Sequence, residues 1–153
     1  MRITDFLKRE GIVDITSSTK EGVIEELSRL VAVLHPEVNE EAVVSSLLER
    51  EKLGSTGIEH GVAIPHARVK GLDNIVVAFG RSIAGVDFEA HDGSKSHLFF
   101  VILAPEKATG LHVKLLGRVS QLLSDPNTRD AIMKAKDLDE VYQVIKERDE
   151  ALC

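Results

Sequence analysis

The chain has 153 residues, 43% of them hydrophobic and 29% charged, and carries a formal net charge of −6. A chain of that size and mix buries a core, which excludes a disordered or fibrous protein. With no Trp, 4% aromatic residues and an acidic balance, neither a base-stacking platform nor a basic nucleic-acid binder is expected.

The opening MRITDFLKRE lacks an apolar signal core, and no apolar run approaches the roughly 18 residues of a membrane span. A cytoplasmic protein without direct membrane insertion is therefore expected. Ser18 with Glu21 forms a capping-box pattern, and Val23, Ile24, Leu27, Leu30, Val31 and Leu34 continue as a helical stripe until Pro36. Asn39 can cap a second helix with Val43, Val44, Leu47 and Leu48 inward and Gly54 at its end. Arg50 falls in that helix's last turn.

The middle reads as strands: a short Val62–Ile64, a β-branched Ile75–Phe79, and a continuously apolar Leu98–Leu103 that suits a buried central strand. Val86, Phe88 and Ala90 alternate with polar residues before the turn-like His91-Asp92-Gly93-Ser94. A third long helix starts around Thr109 or Gly110, with Leu111, Leu115, Val119 and Leu122 in one row. Asp125-Pro126 breaks it, and two helices follow, the last opening on Asp137 and Glu140. Without repeats or linkers, residues 1–153 read as one layered α/β domain with helices flanking a sheet.

Charge is uneven along the chain. Residues 50–118 hold nine Lys/Arg against seven Asp/Glu, and the remaining residues ten against eighteen. That central window also carries His60, His66, His91, His97 and His112, and Gly54, Gly57, Gly61 and Gly71 punctuate it. A less acidic, histidine-bearing centre is where chemistry on an anion is expected.

The run Glu49-Arg50-Glu51-Lys52-Leu53-Gly54-Ser55-Thr56-Gly57-Ile58 leads into Gly61-Val62-Ala63-Ile64-Pro65-His66-Ala67. It closely resembles the phosphorylation-site signature of enzyme IIA domains of the bacterial phosphoenolpyruvate-dependent phosphotransferase system, in the fructose, mannitol and nitrogen-regulatory class. Leu111-His112-Val113-Lys114-Leu115-Leu116 is similar to that family's second histidine segment. Glu59-His60 departs from the family's small Gly and Asn-like pair; should the turn need a positive φ, Glu and His adopt it less readily.

The resemblance implies a mixed sheet between helices and a phosphohistidine carrier. His66 would be the phosphorylated residue, attacking through Nε2 while a hydrogen bond holds its other nitrogen. His112 and Arg50 would donate hydrogen bonds to the phosphoryl oxygens around it. Neutral imidazole suits such a relay because its pKa near ~6.5 leaves a free lone pair at neutral pH. Arg50 offers a planar fork for phosphoryl oxygens, and His112 stands in the first turn of a helix, where an anion is favoured. Ser55 and Thr56 either contact phosphoryl oxygens or build the Gly54–Gly57 turn.

The resemblance further implies a histidine phosphocarrier protein as donor, and as acceptor either the cysteine of a separate enzyme IIB or a regulatory target protein. No Walker spacing is present, so no nucleotide, magnesium or other cofactor is expected. A zinc hydrolase on His60, His66 and His112 is the competing enzyme reading, although no His-Glu-x-x-His or Cys-x-x-Cys spacing supports it. His91 and His97 read as surface or strand-end residues, and Cys153 as inert.

Overall fold

The structure, a computed structural model, describes residues 1–108 and 110–152; Thr109, offered above as a helix start, and Cys153 lie outside the described residues. Two 3-10 turns, Ile3–Asp5 and Arg9–Gly11, lead into β1 (Ile12–Asp14), α1 (Lys20–Leu34) and α2 (Glu40–Lys52). Strands β2 (Val62–Ala63), β3 (His66–Val69), β4 (Val76–Val86) and β5 (Ser96–Pro105) follow, and then α3 (Leu111–Ser124), α4 (Pro126–Lys134) and α5 (Leu138–Glu150).

Strand β5 organises the molecule because it is apolar on both faces. Leu98, Phe100 and Ile102 enter a core with Leu115, Val119, Leu122, Ile132, Val141 and Ile145 of α3, α4 and α5. The alternate residues Phe99, Val101 and Leu103 enter a second core with Val23, Ile24, Leu27, Val43 and Leu47 of α1 and α2. A strand buried on both sides must read as an unbroken apolar run, and this one does. Phe79 packs on Phe100 in the first core and Phe88 on Phe99 in the second, with ring centroids 4.8 and 5.3 Å apart.

The sheet runs β1-β4-β5-β2, with β3 also pairing with β5. β4 and β5 are antiparallel, whereas β1 is parallel to β4, and β2 and β3 are parallel to β5. The expected mixed sheet with helices on both faces is the one observed. β2 and β3 occupy the same edge of β5 in succession, interrupted at Ile64-Pro65. Pro65 has no N–H to give to the ladder, so the edge strand breaks just before His66.

Four local expectations need correction. The first helix is capped by Thr19, whose side chain accepts the Gly22 N–H at 3.0 Å. Ser18 is exposed, and Glu26, not Glu21, reaches back to the backbone of Thr16 and Ser17. The strand expected at Val62–Ile64 ends at Ala63, with a further strand, β3, after Pro65, and the one expected at Ile75–Phe79 starts at Val76 and runs on to Val86. Its continuation hides behind Arg81, buried because Asp14 and the carbonyls of Ile132 and Ala135 accept all of its inward donors. Phe88 and Ala90 are buried but lie outside any strand, since Glu89 between them takes φ 57°. β1, three residues long, was not anticipated.

Asn39 caps α2 through the Ala42 N–H and Asp137 caps α5 through that of Glu140, as the sequence indicates. Among the described residues, no helix is long and apolar enough to cross a membrane.

Candidate functional site

The break at Pro65 and the register of β3 decide where His66 points. His66 pairs with Ile102, an inward residue of the α3 face, and Ala67 pairs with Leu103 on the opposite face. Side chains alternate along a strand, so Arg68 shares the face of His66. β3 is an edge strand, and His66 stays half-buried. Its Nδ1 lies 2.7 Å from the Ile64 carbonyl oxygen. A carbonyl only accepts, so Nδ1 carries the proton and Nε2 keeps its lone pair.

His112 approaches from α3. Gly110, at φ 113°, turns the chain into that helix, and His112 follows in its first turn. Its buried Nδ1 has no hydrogen-bond partner among the described residues. Burial foremost, then the Arg68 charge and the neighbouring His66 ring, hold His112 below the ordinary histidine pKa. The ring is neutral at pH 7, and His66, His112 and Arg68 form one electrostatic cluster. Arg68 also donates to the Glu106 carbonyl at 2.9 Å, which ties β3 to the turn before α3.

Arg50 comes from the other side of the edge. It lies in the last turn of α2 and donates through Nη1 to the Gly54 carbonyl at 2.9 Å. Arg50 and Arg68 line one open cavity of about 420 Å³ with Ala67, Glu49, Ser46 and Leu53. Arg68 thus links the histidine pair to Arg50. Sequence reasoning passed over it, although its place two residues after His66 on an edge strand was a usable signal.

The loop between α2 and β2 is held tightly. The Ser55 hydroxyl donates to Phe88 O at 2.7 Å and accepts from Gly57 N at 2.9 Å. The Thr56 hydroxyl donates to the Glu51 carboxylate, which also accepts the Thr56 N–H at 3.1 Å. Each hydroxyl has one proton, and both are engaged inside the loop. Gly57 is needed there because a Cβ would stand 3.0 Å from Ala90 Cα.

His91, exposed, donates from Nε2 to Ser55 O at 2.9 Å, and His97 on β5 contacts Ser82 O through Nδ1 at 2.8 Å. His60 does adopt the positive φ that the Glu59-His60 turn raised as a question, at 63°. Its N–H donates to Asp92, whose carboxyl is lowered to about 2 by the Ser94 hydroxyl, the Ser94 N–H and the His60 N–H. Among the described residues, no three His, Cys, Asp or Glu side chains gather closely enough to hold a metal ion. The zinc arrangement on His60, His66 and His112 does not assemble.

Large apolar side chains stand in the open here: Leu53, 84% exposed, lines the Arg50–Arg68 cavity, and Leu111 and Val113, 45% and 59% exposed, flank His112 in the chain. Exposed apolar groups gathered on a surface are the usual mark of a docking face.

Residues 5–148 match the family model described as "Phosphoenolpyruvate-dependent sugar phosphotransferase system, EIIA 2". The chain is 37% identical over 135 residues to a nitrogen regulatory protein of Pseudomonas aeruginosa, covering 88% of each. It is also 37% identical over 150 residues to the PTS system fructose-specific EIIABC component of Bacillus subtilis, covering 97% of this chain but 24% of that much longer protein. Among solved structures, the nitrogen regulatory protein IIA-Ntr of Neisseria meningitidis superposes with a TM-score of 0.86 at 34% identity, covering 94% of this chain and 98% of that one.

Proposed function

The chain belongs to the EIIA 2 family of the phosphoenolpyruvate-dependent sugar phosphotransferase system, and on that premise we propose that His66 is its phosphoryl carrier. The observation that carries this reading is the 2.7 Å contact from His66 Nδ1 to Ile64 O, which leaves the Nε2 lone pair as the nucleophile. In the step, the Nε2 lone pair attacks the phosphorus of a phosphohistidine donor. The new N–P bond forms as the donor's N–P bond breaks, and the departing imidazole takes the electron pair. Passing the group to an acceptor reverses the roles.

Such transfer is mostly positioning and stabilisation of charge on the equatorial oxygens. Arg50 and Arg68 supply cationic N–H donors beside β3. A neutral His112 with its lone pair on the buried, unpartnered Nδ1 carries its proton on Nε2 and donates from there. The buried alternative, an unmade N–H donor, is the rarer state in proteins. The donor is a histidine phosphocarrier protein that seats on Leu53, Leu111 and Val113.

Downstream, the acceptor is the cysteine of an enzyme IIB in sugar uptake. A regulatory role is the second reading, favoured by the 0.86 superposition on a nitrogen regulatory protein. Both act on the cytoplasmic side of the membrane and share the His66 step.

The test is phosphorylation in the presence of the upstream phosphocarrier proteins. His66→Ala should lose acid-labile label completely while retaining the wild-type circular dichroism. Undiminished labelling of that variant would show that another residue carries the group. Adding a IIB protein to the labelled chain separates the acceptors: transfer of label to it supports sugar uptake, and retention on His66 supports regulation.

A further inference from the structure

A continuous relay runs from α1 to the reactive imidazole. Lys20, the first residue of α1, is buried, with its side chain 10% exposed and its Nζ 3.0 Å from Glu51 Oε1. The Glu51 side chain, 5% exposed, uses both oxygens on Thr56, accepting its N–H and its hydroxyl. The Thr56 carbonyl accepts Ile64 N at 3.0 Å, and the Ile64 carbonyl accepts His66 Nδ1 at 2.7 Å. Five groups from four segments therefore connect one ammonium to the nitrogen that sets the tautomer of His66.

We propose that Lys20 is a positioning residue for the phosphoryl carrier, fixing the Nδ1–H form of His66 through Glu51, Thr56 and the backbone of Ile64. The proposal rests on the reading of His66 as that carrier. A carboxylate as buried as Glu51 needs a cation and hydrogen bonds to stay ionised and in place. Lys20 is the cation. Its stem crosses the Phe88 ring, with Nζ 4.9 Å from the centroid, and its second contact is Glu89 at 3.1 Å. The Glu89 side chain is 73% exposed, so this outer contact is weak, and the inner pair determines where Thr56 sits.

With the ammonium gone, Glu51 loses the partner that keeps its oxygens aimed at Thr56. The Thr56 peptide, Ile64 and the Nδ1 acceptor then lose a common reference. Sub-ångström misplacement of a reacting atom is enough to slow a transfer substantially. A lysine that only glued α1 to α2 would leave the imidazole unaffected, and this difference is measurable.

Lys20→Met retains the stem over Phe88 and removes the charge. In ¹⁵N-labelled whole chain, imidazole NMR is expected to show wild-type His66 in the Nδ1–H form and Lys20→Met in a mixture of both tautomers. Phosphorylation of His66 should slow roughly tenfold, and Lys20→Arg should restore both readouts. Glu89→Ala should leave both at wild type. An unchanged His66 signal in folded Lys20→Met overturns the proposal, however slow or unstable that variant is. Should Lys20→Met fail to fold, Glu51→Leu removes both Glu51–Thr56 bonds together with the partner of Lys20, and an unchanged His66 signal there overturns it equally. The imidazole signals are read without any phosphoryl donor. A wild-type protein that is never labelled at His66 refutes the carrier reading while leaving this test in force.

Discussion

Arg50→Ala tests the proposed N–H donors to the phosphoryl group most directly, because Arg50 has a structural role and a proposed chemical one that differ in size. Structurally, it contributes one exposed hydrogen bond, Nη1 to Gly54 O at 2.9 Å. Such a bond is worth about 0.5–1.5 kcal/mol net, and at about 2–4 °C per kcal/mol its loss lowers Tm by about 1–6 °C. Chemically, the guanidinium has five donors, so Nη1 can stay on Gly54 while the rest of the fork faces the phosphoryl oxygens. A charge-assisted hydrogen bond made as the group transfers contributes about 1.5–3 kcal/mol, which is roughly 10- to 150-fold in rate. Rapid-quench measurement of transfer from the phosphocarrier onto His66 should show that loss in the maximal rate, with the donor's half-saturating concentration little changed. Arg50→Lys should fall between, since one ammonium cannot serve Gly54 and a phosphoryl group in two directions. An Arg50→Ala protein transferring within twofold of wild type would reduce Arg50 to a loop tether and refute the donor assignment.

Two further perturbations probe the scaffold. His112 has a folded pKa held below its ordinary value, by burial first and then by Arg68 and His66. The unfolded chain therefore takes up this proton first as pH falls, so the stability His112 allows is present above the unfolded value and is lost on acidification toward the folded one. Urea unfolding of wild type should weaken between about pH 7.5 and about pH 5.5 by more than that of His112→Gln; equal slopes would refute the neutral-ring assignment. Asp149, fully buried in α5, accepts Ile3 N at 2.7 Å and Arg118 Nε at 2.6 Å. Asp149→Ala should destabilise by about 3–5 kcal/mol, a fall of about 6–20 °C in a thermal melt. A fall of under about 3 °C would mean that these bonds do not latch α3 and the N-terminal turn to α5.

Where pattern and burial coincide, the fold could be read from the chain. The two-faced apolar run of β5 and the stripes of α1 and α3 follow from the hydrophobic effect acting on regular periods. The elements that escaped are those whose partners lie far away in sequence. β1 is three residues long and is a strand only because β4 runs beside it. The middle of β4 carries Arg81, polar by type, and it becomes core only through Asp14 and the carbonyls of Ile132 and Ala135 at the end of α4. The signature residues could be located in advance; what holds them could not. Neither the Ile64 carbonyl behind His66 nor Glu51 beneath Thr56 is marked by residue type, since a backbone oxygen is present at every position and Glu51 resembles its exposed neighbour Glu49.

Charge balance at the edge of β3 connects the two downstream readings. In the unmodified protein the face offers Arg68 and Arg50 beside a neutral His112, with Leu53, Leu111 and Val113 exposed. On the proposed reading, a phosphoryl group on His66 brings about −1.5 to −2 charges to that centre and offsets the two arginines. It would also oppose the three influences that lower His112, so the same ring would bind protons more readily in the loaded state. The apolar rim is unchanged by any of this. A partner that recognises the rim can therefore dock in either state, whereas one that also reads the centre distinguishes loaded from unloaded protein. On the proposed reading one strand edge would serve both kinds of partner, and the chain is 37% identical both to a relative with a sugar-specific name and to one with a nitrogen-regulatory name.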